Sequence, residues 1–496
     1  MRGTAAKARA ATRRRRNPAQ MVAPARCGRS FLDPARQMRH KARGSVREGS
    51  TRVLLCCGVL TMIDSAPLRV GIAGLGTVGA SVIRLLERQA QALKGRAGRP
   101  IVVAGVCARE KGKDRGVTLD SLAWFDDPVE LAKSGEIDLF VELIGGDEGP
   151  ARAAVETALS HSKSVVTANK ALLAKHGLAL ARLAEAHHVA LAFEASVAGG
   201  IPIVKTLREG LAGNQIERVY GILNGTCNYI LSNMETARRP FADCLAEAQK
   251  LGYAEADPTF DIGGFDTAHK LAILASLAFG TQVDPAAISI EGIEQITLAD
   301  LEAADELGYR IKLLGVAQRT ASGVEQRVHP TMVAKSSAIA QVMGVVNAVT
   351  IDADAVHELT LVGPGAGGGA TASAVVADIA DIAKGIRSAP FGLPSDMLTP
   401  APRAPMQMHE GGYYIRLTVA DRPGVMAAIA TQMGKREISL ESIVQRSRPG
   451  KKAAGVATVI LLTYATTEHT VREALAAIQA DGIVSETPQV IRIERE

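Results

Sequence analysis

The 496-residue sequence predicts an α/β protein of three units: a doubly wound, mainly parallel sheet, an α+β middle region, and a small unit of ferredoxin-like βαββαβ order. Three observations predict it. Short apolar runs alternate with helical spacing from residue 68 to residue 193, a dense proline cluster follows residue 389, and a fresh strand–helix pattern begins beyond that cluster.

Leu68 to Ala73 reads as a buried strand running into a glycine-rich turn, and Val78, Val82, Leu85 and Leu86 carry the helical spacing after it. Ile101–Cys107 and Ile137–Ile144 are the second and third strands. Val165–Thr167 and Val189–Phe193 continue the alternation, with helices around Ala151–Leu159 and Ala179–His187. Such alternation places helices on both faces of a parallel sheet. From Ser196 to Ala389, alanine- and leucine-rich helices mix with short β-rich stretches such as Gly344–Ile351. Pro390, Pro394, Pro400, Pro402 and Pro405 then fall within sixteen residues, a density that resists helix and sheet and predicts an interdomain linker. Beyond it, Tyr413–Val419 is a strand, Pro423-Gly424 a turn and Val425–Arg436 a helix. Ile438–Arg446 and Gly455–Tyr464 are strands, His469–Ala480 a helix, and Val490–Ile493 the last strand. The predicted domains are 62–195, 196–389 and 413–496, with a linker over 390–412 and a basic extension over 1–61.

Composition narrows the classes. Hydrophobic residues make up 47% of the chain, enough for a large core, and no apolar run reaches the ~18 residues that a membrane span needs. The net charge of +6 is localised: residues 1–61 carry a balance of +13, including Arg13 to Arg16, so the remaining chain stands at −7. The body is therefore mildly acidic, which argues against nucleic acid or a membrane surface as its partner. The extension reads as a targeting segment, as a nucleic-acid-binding arm, or, the expectation favoured here, as sequence outside the working protein, with Met62 its natural start. Cys107, Cys227 and Cys244 follow no metal-ligand spacing and predict neither disulfides nor a zinc site, which fits a reducing cytoplasm.

Gly74-Leu75-Gly76-Thr77-Val78-Gly79 follows the first strand and opens a helix. Gly74 permits the tight turn, Gly76 lets a pyrophosphate approach the backbone, and Gly79 allows close helix–strand packing. The helix N-terminus adds N–H groups and positive dipole. This is the fingerprint of a Rossmann-type domain that binds NAD(H) or NADP(H). The second strand ends in Arg109 rather than an acid, with Lys111, Lys113 and Arg115 close behind, so a 2′-phosphate and NADP(H) are favoured. Glu110 keeps NAD(H) open, and Arg109 can also be a plain solvated charge.

Two further stretches are unusual. Thr167-Ala168-Asn169-Lys170 lies just past a strand, at the edge where open α/β sheets place ligands. Glu255, Asp257, Asp261, Asp266 and Lys270 fall within sixteen residues, and Asp266 and Lys270 are i, i+4 on one helix face. Such a pair usually means a solvated salt bridge and a helix cap. Its setting, with three carboxylates in the loop just before, also suits an amino-acid substrate's ammonium.

At these residues the sequence resembles the homoserine dehydrogenase family. The glycine-rich turn, Glu142–Gly146, Thr167–Lys170, Glu194–Pro202, Asn224–Leu231, Glu255–Lys270 and Gly363–Gly368 carry the resemblance in unbroken order from about residue 68 to 390. Tyr413 onward is similar to an ACT domain, with Asp421–Val425 at its first turn. No kinase-like region precedes the dehydrogenase part, so the form resembled is the single-function one. The resemblance implies a reaction between L-homoserine and L-aspartate 4-semialdehyde. It implies Lys270 as proton donor to the aldehyde oxygen, Asp266 as its orienting neighbour, and Lys170 at the junction of cofactor and substrate. It further implies Glu255 and Asp261 as substrate carboxylates, Gly367 beside the cofactor, and a sodium loop of Glu194, Val197, Gly199 and Ile201. Threonine is the expected effector, and a homodimer or homotetramer the expected assembly.

The chemistry agrees with these roles. Hydride transfer to an aldehyde builds negative charge on oxygen, and an ammonium held there stabilises that charge and delivers a proton. One rival is a thiol-dependent semialdehyde dehydrogenase, for which Cys227 is the only candidate nucleophile. Another is a non-catalytic amino-acid sensor built around the C-terminal unit.

Overall fold

The computed structural model describes residues 66–447 and 455–494, so the predictions made for 1–61 lie outside the described residues. Six strands, β1 (Leu68–Ala73), β2 (Ile101–Cys107), β3 (Ala123–Phe125), β4 (Leu139–Glu142), β5 (Ser164–Thr167) and β6 (Leu191–Ala192), form the first sheet. Its order is β3-β2-β1-β4-β5-β6, every pairing parallel, which is the doubly wound arrangement with its switch point between β1 and β4. Strand alternation divides the core: Leu139 and Val141 face one layer of helices while Phe140 faces the other. β3 and the short helix Pro128–Lys133 escape the sequence pattern because each is too brief to show a period.

One helix crosses the expected boundary at residue 195. Gly368–Ala383 buries Ala372, Val375 and Ile379 in the same cluster as Val70, Val82 and Ile83, against helix Thr77–Arg88. The chain thus returns to the first sheet after building most of the second unit, and the 196–389 stretch is not one packing unit.

The second sheet contains β7 (Ile216–Ile222), β8 (Ser289–Ile290), β9 (Tyr309–Thr320), β10 (Gly323–Ala334), β11 (Val346–Ala353) and β12 (His357–Pro364). It continues through β13 (Glu410–Ala420), β14 (Leu440–Ser447), β15 (Val456–Thr463), β16 (Thr466–Thr467) and β17 (Gln489–Glu494), in the order β12-β11-β7-β9-β10-β17-β13-β15-β14. With helices Val425–Gly434 and Glu468–Ala480, β13 to β17 give the βαββαβ order read from the sequence. The join is a parallel pairing of β10 with β17, Thr331 opposite Arg492. Charges seal it. Arg327 donates to Glu494 at 2.7 Å, Arg492 to Glu291 at 2.9 Å, and Arg416 to the buried Asp300 at 2.6 Å. The proline-rich segment is correspondingly no free tether: Phe391 and Leu398 are buried, and the carbonyls of Thr399 and Pro402 accept from Gln282 and Val324. Among the described residues no helix is long and apolar enough to cross a membrane.

Candidate active site

The three glycines of the turn differ in what they must accommodate. Gly74 leaves β1 at φ 101°, and a Cβ there would lie 2.3 Å from the Leu143 carbonyl oxygen. A Cβ on Gly79 would lie 2.0 Å from the Gly74 carbonyl oxygen, so helix and strand touch there. Gly76 faces open space, leaving its backbone approachable. Helix Thr77–Arg88 then starts with no side-chain cap on its first N–H groups. These features fit a dinucleotide pyrophosphate. Arg109 is exposed just past β2. Arg115 reaches the turn itself, donating to the Leu75 carbonyl at 3.2 Å while its guanidinium sits 5.8 Å from the Trp124 ring centre.

The C-terminal edge of the sheet is stitched around Lys170. Buried Glu142 accepts from the Ile144 and Gly145 N–H groups at 2.7 and 2.9 Å and from the Thr167 hydroxyl at 2.5 Å. Asn169 caps helix Lys170–Ala186 through the Leu172 N–H at 3.1 Å and donates to the Gly146 carbonyl at 2.6 Å. Lys170 is therefore fixed at the first helical position, beyond β5 and beside the glycine loop.

Lys170 meets the second unit at Asp266. That carboxylate is 5% exposed, accepts from Lys270 Nζ at 2.7 Å and from Asn224 Nδ2 at 2.9 Å, and lies 3.3 Å from Lys170 Nζ. Burial opposes its charge, but the two ammonium groups and the hydrogen bonds prevail and hold it at about 2. Lys270 also donates to the Leu223 carbonyl at 2.7 Å. Asn224 caps helix Gly225–Ala237 through the Cys227 N–H and gives its second amide hydrogen to Asp261 at 2.8 Å. Burial raises the Asp261 carboxyl, and the nearby Asp266 charge adds to this. Lys170, Lys270, Asp261 and Asp266 all line one cleft of about 600 Å³, whose opposite wall is Val345–Asn347 and the loop Gly363–Gly367. That loop connects the cleft to the turn, because a Cβ on Gly368 would lie 2.9 Å from Thr77 Cγ2.

The remaining expected residues divide. Glu255 is exposed and off the cleft lining, and Asp257 accepts from the Thr259 N–H at 3.1 Å. Sequence reasoning grouped four carboxylates there, and the structure brings only Asp261 and Asp266 together. Glu194 is buried with both carboxylate oxygens accepting backbone N–H groups, from Val204 at 2.9 Å and Lys205 at 2.8 Å. Burial, then the neighbouring Asp378, raises it to about 7. Its loop braces the cleft: Gly200 N–H donates to the Pro364 carbonyl at 3.0 Å, and a Cβ on Gly199 would lie 2.4 Å from the Gly365 carbonyl oxygen. The carbonyls of Val197 and Gly199 accept no hydrogen bond among the described residues, whereas that of Ile201 accepts from Ile203. One carboxylate and neutral carbonyls suit a monovalent cation. Cys227 is fully buried, its thiol donates to the Asp261 carbonyl at 3.2 Å, and burial pushes it well above the ordinary range, so it cannot serve as a ready thiolate. Sequence reasoning gave no role to Asn224, Thr226, Tyr253 or Asn347, all at the cleft. Only Asn224 carried a signal, an Asn before a helical run.

A dinucleotide turn beside an ammonium-lined cleft defines a nicotinamide-dependent dehydrogenase acting on a small polar carbonyl or alcohol. Comparison with known proteins then specifies the family. Residues 74–194 match the family profile "Homoserine dehydrogenase, NAD binding domain", residues 202–380 "Homoserine dehydrogenase", and residues 413–482 "ACT domain". Homoserine dehydrogenase of Pseudomonas aeruginosa is 46% identical over 437 residues, covering 86% of this chain and 99% of its own. The crystal structure of a homoserine dehydrogenase from Thiobacillus denitrificans superposes with a TM-score of 0.82 at 44% identity, covering 87% of this chain and 99% of its own. A more distant hyperthermophilic archaeal homoserine dehydrogenase, solved in complex with NADPH, has a TM-score of 0.55 at 26% identity and covers 64% of this chain and 97% of its own. The chain belongs to the homoserine dehydrogenase family and is an oxidoreductase that interconverts L-homoserine and L-aspartate 4-semialdehyde.

Proposed function

We propose that the Asp266–Lys270–Lys170 cluster is the chemical centre of this reaction, with Lys270 giving a proton to the carbonyl oxygen of the semialdehyde and recovering it in the reverse direction. The carrying observation is that an ammonium with two fixed acceptors, Asp266 and the Leu223 carbonyl, lines the cleft beside the glycine loop. Asp266 holds Lys270 in orientation, and Lys170 closes the gap between the two units at 3.3 Å. Asp261 takes the substrate ammonium, whereas Glu255, which the family resemblance pairs with it, stands off the cleft lining. The nicotinamide, when bound, supplies the hydride step, and the chain's own groups supply alignment and charge. Homoserine-dependent reduction of NADP⁺ that vanishes in Lys270→Ala while cofactor binding persists tests this. Persistence of turnover would refute it, as would loss of turnover and cofactor binding in step.

Several finer properties belong to the same proposal. NADP(H) is preferred, with its 2′-phosphate met by Arg109 and by the Arg115 guanidinium that already leans on the turn. A sodium ion at the Glu194, Val197, Gly199 and Ile201 loop would brace Gly363–Gly367 without entering the chemistry. Threonine is the effector: a cavity of about 360 Å³ opens at Asp421–Met426, beside Gln445 and Val459. The working assembly is a homodimer or homotetramer in the cytoplasm, where the buried Cys107, Cys227 and Cys244 stay as thiols.

A further inference from the structure

Lys312 is 1% exposed in the middle of β9, and no carboxylate lies within ion-pair distance of it among the described residues. Its ammonium donates to three uncharged groups: Asn228 Oδ1 at 3.0 Å, the Val342 carbonyl at 2.6 Å and Met343 Sδ at 3.4 Å. Asn228 completes the clasp, giving its amide hydrogens to the carbonyls of Val342 and Val346 at 3.2 and 3.1 Å. One turn on, Ser232 Oγ accepts the Gly344 N–H at 3.1 Å, and Glu235 takes Arg310, which also reaches the Ala340 carbonyl at 2.8 Å. One helix face and one strand face thus grip the segment 340–346 from both sides. The next residues of that segment, Val345, Val346 and Asn347, form a wall of the substrate cleft, and the gripping helix carries Thr226 into the same cleft.

The end of the strap is tightly fitted. A side chain on Gly365 would begin 2.0 Å from Asn347 Cγ, so the Asn347 amide occupies the space that glycine leaves. Asn347 Oδ1 is buried with no partner among the described residues. A displacement of the strap by a few tenths of an ångström would therefore reach the cleft wall.

We propose that Lys312 is a positioning residue for substrate binding, its buried ammonium fixing the strap that sets Val345–Asn347 against the helix of Thr226. Burying an ammonium among neutral acceptors carries a desolvation cost that an apolar side chain of similar length avoids, set against the loss of the donor to Asn228 and Val342. Lysine offers three diverging donors on a thin stem at this depth. Burial, with the Arg310 charge, lowers it to about 8, the effect of Glu235 being opposite and smaller.

This inference rests on the cleft being the substrate site, and its test separates the two. In Lys312→Met, the melting temperature should equal or exceed that of the unaltered protein, while KM for homoserine rises about tenfold or more and KM for the nicotinamide stays within about twofold. If the methionine variant fails to fold because Asn228 and Val342 lose their donor, Lys312→Gln, which keeps two amide hydrogens, carries the same expectation. Either folded variant with an unchanged homoserine KM overturns the inference, as does a fall in melting temperature with kcat and both KM values drifting together. Retention of turnover by Lys270→Ala would instead sink the site assignment.

Discussion

At the scale of single residues, the site depends on one carboxylate that stays charged although it is almost fully enclosed. Asp266 does so because Lys270, Lys170 and Asn224 surround it. Its ordinary value is 3.8 and its folded value about 2, so the folded state binds its proton less readily than the unfolded chain. The stability it contributes is complete above the unfolded value and is lost as pH falls through about 2. Acid unfolding followed by circular dichroism should therefore lose the difference between the unaltered protein and Asp266→Asn within that window. A constant difference down to about pH 2 would argue against the ionised cluster. Lys270→Ala should cut kcat by about 10²- to 10⁴-fold and leave cofactor affinity within about twofold, read by steady-state rates and fluorescence titration. These residues were legible because four carboxylates and a lysine crowd into residues 255–270, in a stretch that resembles the family. Asn347 and Lys312 were not: an amide or a lone lysine on a strand looks like surface until the packing around it is known.

At the scale of elements, the first sheet could be read because its main strands are short apolar runs and each βα turn carries a glycine or a cap. The turn makes a sharp prediction. Gly76→Ala meets nothing in the folded chain, so it should melt as the unaltered protein does while the Kd for NADP(H) rises about tenfold or more. Gly79→Ala puts a methyl against the Gly74 carbonyl and should lower the melting temperature as well as cofactor binding. Equal melting losses in both variants would mean that the turn is structural only. Helix Gly368–Ala383 was placed in the wrong packing unit because its alanine-rich face has no feature naming its partner. The partner is set by the return of the chain over Thr77, which is information carried by topology and not by local sequence.

For the whole molecule, the last unit is legible from its strand and helix order, but the way it attaches is not. Prolines at 390–405 signalled a linker, whereas β17 completes the sheet beside β10 and buries Arg492 against Glu291 and Glu468. Removing one partner from a buried pair costs about 3–5 kcal/mol. Deleting residues 404–496 takes Arg416 from the buried Asp300 and Glu494 from the buried Arg327, and bares the β10 edge. That truncation should aggregate or melt far lower on a thermal scan, and a soluble, fully active fragment would show the unit to be detachable. The chemistry nevertheless turns on one atom, and a crystal structure with a nicotinamide cofactor and homoserine bound would locate it. Lys270 Nζ should lie within about 3.2 Å of the substrate's side-chain oxygen while still bonded to Asp266. That ammonium turned away from the oxygen, with another group in its place, would contradict it.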